Sequence, residues 1–289
     1  MRRGENNPSC IKTIDYHCVG LNGQIEIIGI ADTHIGDPLV DYELLDDCVK
    51  YIKSHKNCYW IANGDLINNA IKQSPSNVYM EQLSPKAQVD KICSILKPIK
   101  DKCIAYIPGN HEYDRNLKEV GDITPADLIA INLGVEDRYA PGGAVIYLSM
   151  TGIKGSNKKA TMFKIFAQHG SGGSTATAGK MSKLKQMANI FPDADVYLKS
   201  HTHEPMFTID NRLKSNDMAH SVVEEDRVFV NTGAFLKYGG YGQNKGLAPT
   251  SRKIPVIILG AMRKSFMNNG KEYDFVSRYY GVKMLTELL

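Results

Sequence analysis

Ile25-Glu26-Ile27-Ile28-Gly29-Ile30-Ala31-Asp32-Thr33-His34 is the stretch on which the fold turns. An apolar run of strand length stops at a carboxylate and an imidazole spaced two apart. Runs of about four to eight apolar residues bounded by turn residues suit strands buried on both faces. The pattern recurs along the chain. Residues 58–62 run into Asn63-Gly64-Asp65, and 103–107 into Pro108-Gly109-Asn110-His111. Residues 163–167 run into Gln168-His169-Gly170, and 196–198 into Lys199-Ser200-His201-Thr202-His203. Residues 228–230 run into Asn231-Thr232-Gly233. Open α/β sheets build sites by ending each strand in functional residues.

Helical spacing fills the intervals. Leu44, Leu45, Cys48, Val49 and Ile52 share one face within 41–57. Ser84-Pro85 and Thr124-Pro125 each give an N-cap with proline at the first helical position, and Gly134 stops the second of these helices. Residues 180–191 carry Met181, Leu184, Met187 and Ala188 on one side, and Asn22-Gly23 predicts a tight hairpin before the first of the strands above. Alternation first, with more strands later, predicts α/β with mixed sheets.

Composition bounds the alternatives. Of 289 residues, 43% are hydrophobic and 23% charged, ordinary for a globular protein and against disorder. No apolar run reaches the ~18 residues of a membrane span. The basic residues 1–8 precede no hydrophobic stretch, so a cytoplasmic protein without a secretory signal is expected. The six cysteines (Cys10, Cys18, Cys48, Cys58, Cys93, Cys103) form no CxxC pair and read as buried free thiols.

The formal charge of +4 is unevenly spread. Residues 1–236 hold 26 basic against 28 acidic side chains, and residues 237–289 hold nine against three. The second segment is a Tyr/Gly-rich extension expected to pack on a catalytic domain spanning 1–236. It has two readings: contact with a phosphate backbone and stacking on bases, or a solvated face whose tyrosines pack on the core.

The polar clusters carry the chemistry. Asp32-x-His34, Gly64-Asp65, Gly109-Asn110-His111-Glu112, His169 and His201-x-His203 are all groups that bind divalent metals. A carboxylate such as Asp65 has two oxygens and can bridge two ions. His-x-His can send one ring to each of two metals. A mixed nitrogen and oxygen set suits Mn²⁺, Fe or Zn²⁺ better than Ca²⁺ or Mg²⁺. Any one of these motifs alone is more often a turn or a satisfied core residue. Five in order, each closing an apolar run, read together as a site. His17, His55 and His220 lack that context.

This ordered set resembles the calcineurin-like metallophosphoesterase superfamily, whose motifs D-x-H, G-D, G-N-H-[DE], H and G-H-x-H appear in order over residues 32–203. The resemblance implies a four-layer αββα sandwich of two mixed sheets flanked by helices. It implies two divalent ions, Mn²⁺ foremost, with Fe, Zn²⁺ and Ni²⁺ as alternatives. Asp32, His34 and His203 would hold one ion; Asn110, His169 and His201 the other; Asp65 would bridge them. The implied reaction is hydrolysis by a metal-bridging hydroxide, with the ions ~3.5–4 Å apart. Asp65 and His111 are then the catalytic candidates, with Asn110, His111 and Arg115 contacting substrate. His111 lies in the family near the scissile phosphate, where it would donate a hydrogen bond and, in diesters, a proton. One departure is Ser200, where the family usually has glycine.

Substrate class is read from the second motif. The protein phosphatase branch carries G-D-x-x-D-R-G, whereas this chain has Asn68 for the acid and Asn69 for the phosphate-clamping arginine. Monoester dianions benefit from a bidentate arginine, so its loss points to diesters. Arg115 substitutes only if its loop folds back. Asp32-Thr33-His34-Ile35-Gly36 looks more like the nuclease-type and phage or bacterial phosphodiesterases. The expectation is a phosphodiesterase acting on nucleic acid (DNA or RNA) or nucleotides, with no membrane partner and the oligomeric state open, a homo-oligomer included. The alternatives are a phosphomonoesterase and a non-catalytic phosphate-binding relative, the latter opposed by the intact ligand set. Residues 170–180 fail the P-loop pattern, since Met181 follows Lys180 where Ser or Thr is needed. They and the insert 69–83 are read as candidate cleft rims or surface connections.

Overall fold

The computed structural model describes residues 11–72, 74, 78–120, 122–156, 160–216 and 220–285. Residues 1–8 and Cys10 lie outside the described residues, as do 73 and 75–77 of the insert.

Eleven strands form two mixed sheets among the described residues. They are β1 (Lys12–Val19), β2 (Gln24–Ile30), β3 (Cys58–Asn63), β4 (Cys103–Ile107), β5 (Ala144–Thr151), β6 (Thr161–Ala167), β7 (Val196–Lys199), β8 (Met206–Asn216), β9 (Ser221–Asn231), β10 (Pro255–Asn268) and β11 (Lys271–Met284). One sheet has the order β11-β10-β2-β3-β4 and the other β1-β5-β6-β7-β9-β8. Strands β2, β3 and β4 are mutually parallel, as are β6, β7 and β9. Every apolar run that closes in a polar cluster is thus a central, parallel strand or its neighbour.

The period of two in β2 assigns its residues to layers. Ile25 and Ile27 meet Ile146, Leu148, Phe163, Leu198 and Val230 in the core between the sheets. Ile28 and Ile30 turn outward to a second core under α1 (Tyr42–Ser54), α2 (Pro85–Leu96) and α4 (Pro125–Leu133). Between α2 and α4 lies the short α3 (Arg115–Val120). The other sheet carries Phe166, Tyr197 and Phe229 on its outer face, covered by α5 (Thr177–Lys185) and α6 (Met187–Ile190). The result is helix, sheet, sheet, helix, the four-layer αββα order expected from the resemblance.

Caps fall where the sequence places them. Asp41 and Ser84 accept from the amides of Leu44 and Ala87. Thr124 and Asp127 form a capping box, and Gly134 ends α4 at φ +68°. Two expectations change. The single helix read over 180–191 is broken at Gln186, whose ψ of −19° tightens the turn toward a 3₁₀ geometry. That tightening lets Leu184 and Met187, three apart, bury on the same face. The Asn22-Gly23 turn is present, with both residues at positive φ, but the hairpin is not extended beyond the Leu21–Gln24 bridge. Instead β1 pairs in parallel with β5 in the opposite sheet, because Ile14 and Cys18 bury between the layers. The turn is a corner between sheets.

Residues 237–289 contribute the short helix α7 (Gly240–Asn244) and the β10–β11 ribbon. Val256 to Gly260 pair with β2, so part of this segment lies inside the five-stranded sheet. Four of its nine cations pair with acids among the described residues: Arg252 with Asp41, Arg263 with Asp274, Arg278 with Asp195 and Glu225, and Lys283 with Glu26. Tyr280 packs edge-on against Phe163. The five described cysteines, Cys18, Cys48, Cys58, Cys93 and Cys103, are buried free thiols. No helix among the described residues is long and apolar enough to cross a membrane.

Candidate metal centre

The carboxyl ends of β2, β3, β4, β6, β7 and β9 open on one edge, and the polar clusters leave from there. Five of the candidate ligands, Asp32, His34, Asp65, His201 and His203, have left-handed backbones, with φ between +45° and +74°. Each non-glycine residue so placed costs roughly 1–2 kcal/mol, and such strain persists only where the surroundings over-determine it. Here they do. Asp32 N donates to Gly64 O at 2.9 Å, His34 N to Asp65 O at 3.0 Å and Ser200 N to His169 O at 3.0 Å, so adjacent loops are zipped by backbone bonds. Glycine is required at two points of this packing. A Cβ on Gly64 (φ +90°) would overlap the His169 ring, and one on Gly109 would overlap Asp65.

Two clusters result. Asp32, His34 and His203 have donor atoms within 4.8 Å of one another, and so do Asp65, His169 and His201. Within the first, His34 Nε2 and His203 Nε2 are 3.1 Å apart, and His203 Nε2 lies 3.4 Å from Asp32 Oδ1. Within the second, His169 Nε2 lies 3.1 Å from Asp65 Oδ2 and 3.3 Å from His201 Nδ1. Asp65 also groups with His34 and His111, which puts it between the clusters. Asn110 opens a single π-helical turn, residues Asn110–Asp114, after β4. Its buried Oδ1 has no hydrogen-bond partner, and neither does Asp32 Oδ1.

The charges are those of a site that competes for a cation. Burial opposes ionising Asp65, but the His169 and His111 rings outweigh it and hold the carboxyl well below its usual range. Burial likewise disfavours a charged His169, yet the Asp65 carboxylate carries it up to about 10. His203 is raised against its burial by Asp32. His34 and His201 are pushed down, first by burial and then by neighbouring rings. In the second cluster a proton-holding His169 thus stands beside His201, which is pushed down. Converging ring nitrogens and orphaned oxygens need a positive charge among them, and this donor chemistry fits a divalent transition metal.

A model of the calcineurin-like phosphoesterase family matches residues 25–225. The chain belongs to that family. No curated protein matches the sequence. Two solved structures are similar over most of the chain. One is vacuolar protein sorting 29 from Cryptosporidium parvum, at 13% identity and a TM-score of 0.39, covering 89% of this chain and 99% of that one. The other is a conserved uncharacterized protein of Streptococcus pneumoniae TIGR4, described as a predicted phosphoesterase, at 14% identity and 0.34, covering 88% and 98%.

In this family member the His and Asp residues singled out from sequence lie together, and Arg115 comes beside His111. Its loop folds back, so Nη1 donates to Asn68 O at 2.9 Å and Nη2 faces His111 Nε2 at 2.8 Å. His111 Nδ1 is 2.7 Å from the Asn68 backbone oxygen. These partners assign the proton to Nδ1 and the lone pair to Nε2. Burial, with Arg115 adding to it, pushes His111 down to about 4 despite Asp65. Asn68 therefore orients the histidine through its carbonyl, not its side chain. Glu112 lies beneath Asp65 and accepts from Gly109 N at 2.9 Å; burial and then Asp65 push its carboxyl up to about 8.

Sequence reasoning missed one supporting group. Ser200, fully buried, accepts from Asn63 Nδ2 at 2.6 Å and Thr232 Oγ1 at 2.9 Å. Asn63 closes β3 and Thr232 follows β9, so the serine ties the two sheets together below the ligands. Its signal was the departure from glycine, which has meaning only once its partners are known. Ser200→Ala should lower unfolding stability by about 1–3 kcal/mol by leaving buried polar groups unpaired. An unchanged denaturant midpoint would discard the tie.

Proposed function

We propose that this phosphoesterase hydrolyses phosphodiesters of nucleic acid or nucleotides at a two-cation centre. The observation that carries this reading is the pair of His/Asp clusters on either side of Asp65. Asp32, His34 and His203 would hold one cation, and Asn110, His169 and His201 the other, with Asp65 common to both. Mn²⁺ is the cation proposed, with Fe, Zn²⁺ and Ni²⁺ as alternatives. When bound, such cations supply Lewis acidity, activating water and neutralising phosphoryl oxygens.

The chain's own residues do the rest. Asn110 and His111 sit at the mouth of the site, where Asn110 also lines a cleft of about 240 Å³ shared with Tyr113, Gln168 and His169. That cleft gives a leaving alcohol of nucleoside size somewhere to go. His111 Nε2, 3.7 Å from Asp65 Oδ2, would take up a proton from solvent as the phosphate binds and displaces the Arg115 contact, donate it in a hydrogen bond to the phosphate, and give it to the leaving oxygen. A phosphate's negative charge raises the affinity of Nε2 for that proton, offsetting the burial that keeps it off in the free protein.

Support for a diester comes from the second motif. Asn69 spends its amide on His111 O and Asn116, so no guanidinium stands where a monoester clamp would. The placement of Arg115 favours a second reading, a phosphomonoesterase, although Asn68 and Asn69 carbonyls already engage that guanidinium. With Mn²⁺, bis-p-nitrophenyl phosphate should turn over at least about tenfold faster in kcat/KM than p-nitrophenyl phosphate. The reverse preference would establish the monoester reading, and no turnover with any of the four metals would favour a non-catalytic phosphate binder.

A further inference from the structure

Lys199 closes β7, two residues before His201, and is only 5% exposed. Buried lysines are almost always paired with an acid, yet Lys199 has no ion pair among the described residues. Its ammonium donates to Ser200 O at 3.2 Å, which leaves two of three donors unspent. A second cation stands nearby. Lys183, on the half-buried side of α5, has no ion pair or hydrogen bond to a described residue, whereas its neighbours Lys180 and Lys185 are matched to Glu204 and Asp210 at 2.8 and 2.9 Å. The acids beside Lys180 and Lys185 are already committed, and the charged groups that Lys199 feels are the Asp32 carboxylate first and the Lys183 ammonium second.

The loop after His169 wraps both cations. Gly170 (φ +96°) lies against Lys199, where a Cβ would stand 2.5 Å from Nζ, and Gly172 (φ +82°) lies equally close to Lys183 Nζ, at 2.6 Å. Left-handed glycines bring the backbone this near without a side chain intervening. Gly170 and Ser171 also line the cleft beside Asn110 and His169. Two cations without an ion pair among the described residues, one of them buried, therefore lie against a small-residue loop that borders the candidate centre.

We infer that Lys183, Lys199 and the 170–173 loop form a second phosphate subsite, holding the phosphate next along the chain from the scissile diester. The inference rests on the phosphodiesterase reading and sharpens it: the substrate is an oligonucleotide with several phosphates, not an isolated diester. The flanking phosphate would neutralise the two lysines and bring the scissile group to the Asp65 edge.

The test compares a short fluorescein-labelled oligothymidylate with bis-p-nitrophenyl phosphate, which has one phosphate, on the full-length protein with Mn²⁺. For Lys183→Gln the ratio of kcat/KM, oligonucleotide over bis-p-nitrophenyl phosphate, should fall at least about tenfold, mostly through KM. The slope of log KM against log salt should decrease by about one, and Lys183→Arg should restore both. Lys199→Gln should act the same way. If that buried variant fails to fold, the half-buried Lys183 decides. An unchanged ratio and slope in Lys183→Gln would overturn the subsite. If the wild-type protein cleaves neither substrate, the phosphodiesterase reading fails by itself. The subsite is then judged by fluorescence anisotropy with the same oligonucleotide: a smaller salt slope in Lys183→Gln supports it, and no binding by wild type overturns it.

Discussion

Asp65→Ala should lose both bound metal and turnover, whereas His111→Ala should keep its metal and lose about 10²–10⁴-fold in kcat. Asp65 groups with His169 and His201 and also with His34 and His111; its Oδ2 lies 3.1 Å from His169 Nε2 and 3.7 Å from His111 Nε2. Oδ1 accepts from His111 N at 3.0 Å, which pins the carboxylate under the π-helical turn. On the proposed reading, removing it would take the shared ligand from both cations, and it leaves a buried His169 without its counter-charge. His111, in contrast, is oriented by Asn68 and Arg115 and lies at the edge of the clusters, so its loss spares the donors. Metal analysis of the purified variants, with circular dichroism to confirm folding, separates the two. Two equivalents of metal retained by Asp65→Ala would sink the shared-ligand assignment.

The second large effect is on metal affinity with pH. His169 is raised to about 10 by Asp65, so at pH 7 the metal-free protein carries a proton on the ring that a cation must coordinate. Binding at that ring would expel the proton. Mn²⁺ affinity should therefore climb about tenfold per pH unit for the His169 proton alone, levelling as pH approaches 10. The sign for folding is opposite. A raised histidine stabilises the metal-free protein fully below about 6.5, its unfolded value, and this contribution is lost as pH rises toward 10. The chelated protein should thus lose stability over that window relative to the Mn²⁺-loaded one. Calorimetric titration of Mn²⁺ at pH 7 in two buffers of different ionisation enthalpy measures the release, and identical apparent enthalpies would refute it.

Arg115 shows why local sequence runs out. A guanidinium four residues after His111 could point anywhere, and its capture by the Asn68 and Asn69 carbonyls depends on the loop after β3 meeting the turn after β4. Lys199 and Ser200 are alike in this. A lysine and a serine before His-x-His look incidental until burial leaves the first without an ion pair among the described residues and gives the second two partners from other segments.

By itself the sequence determined six of the strands, the caps at Ser84, Thr124 and Gly134, and the residue types of the site, because strand burial, capping and metal-ligand chemistry are written in short runs and spacings. The apolar periods of β2, β3, β4, β6 and β7 and the polar clusters that close them needed no tertiary information. Only the tertiary structure decided that β1 leaves its tight turn for the opposite sheet and that residues 256–260 complete the sheet of β2. It alone put Asp65 among the histidines and left Lys183 and Lys199 without an ion pair among the described residues. Those are relations between segments as far as 230 residues apart, such as β2 and β10, and they are set by which surfaces must be buried together. No local pattern encodes them.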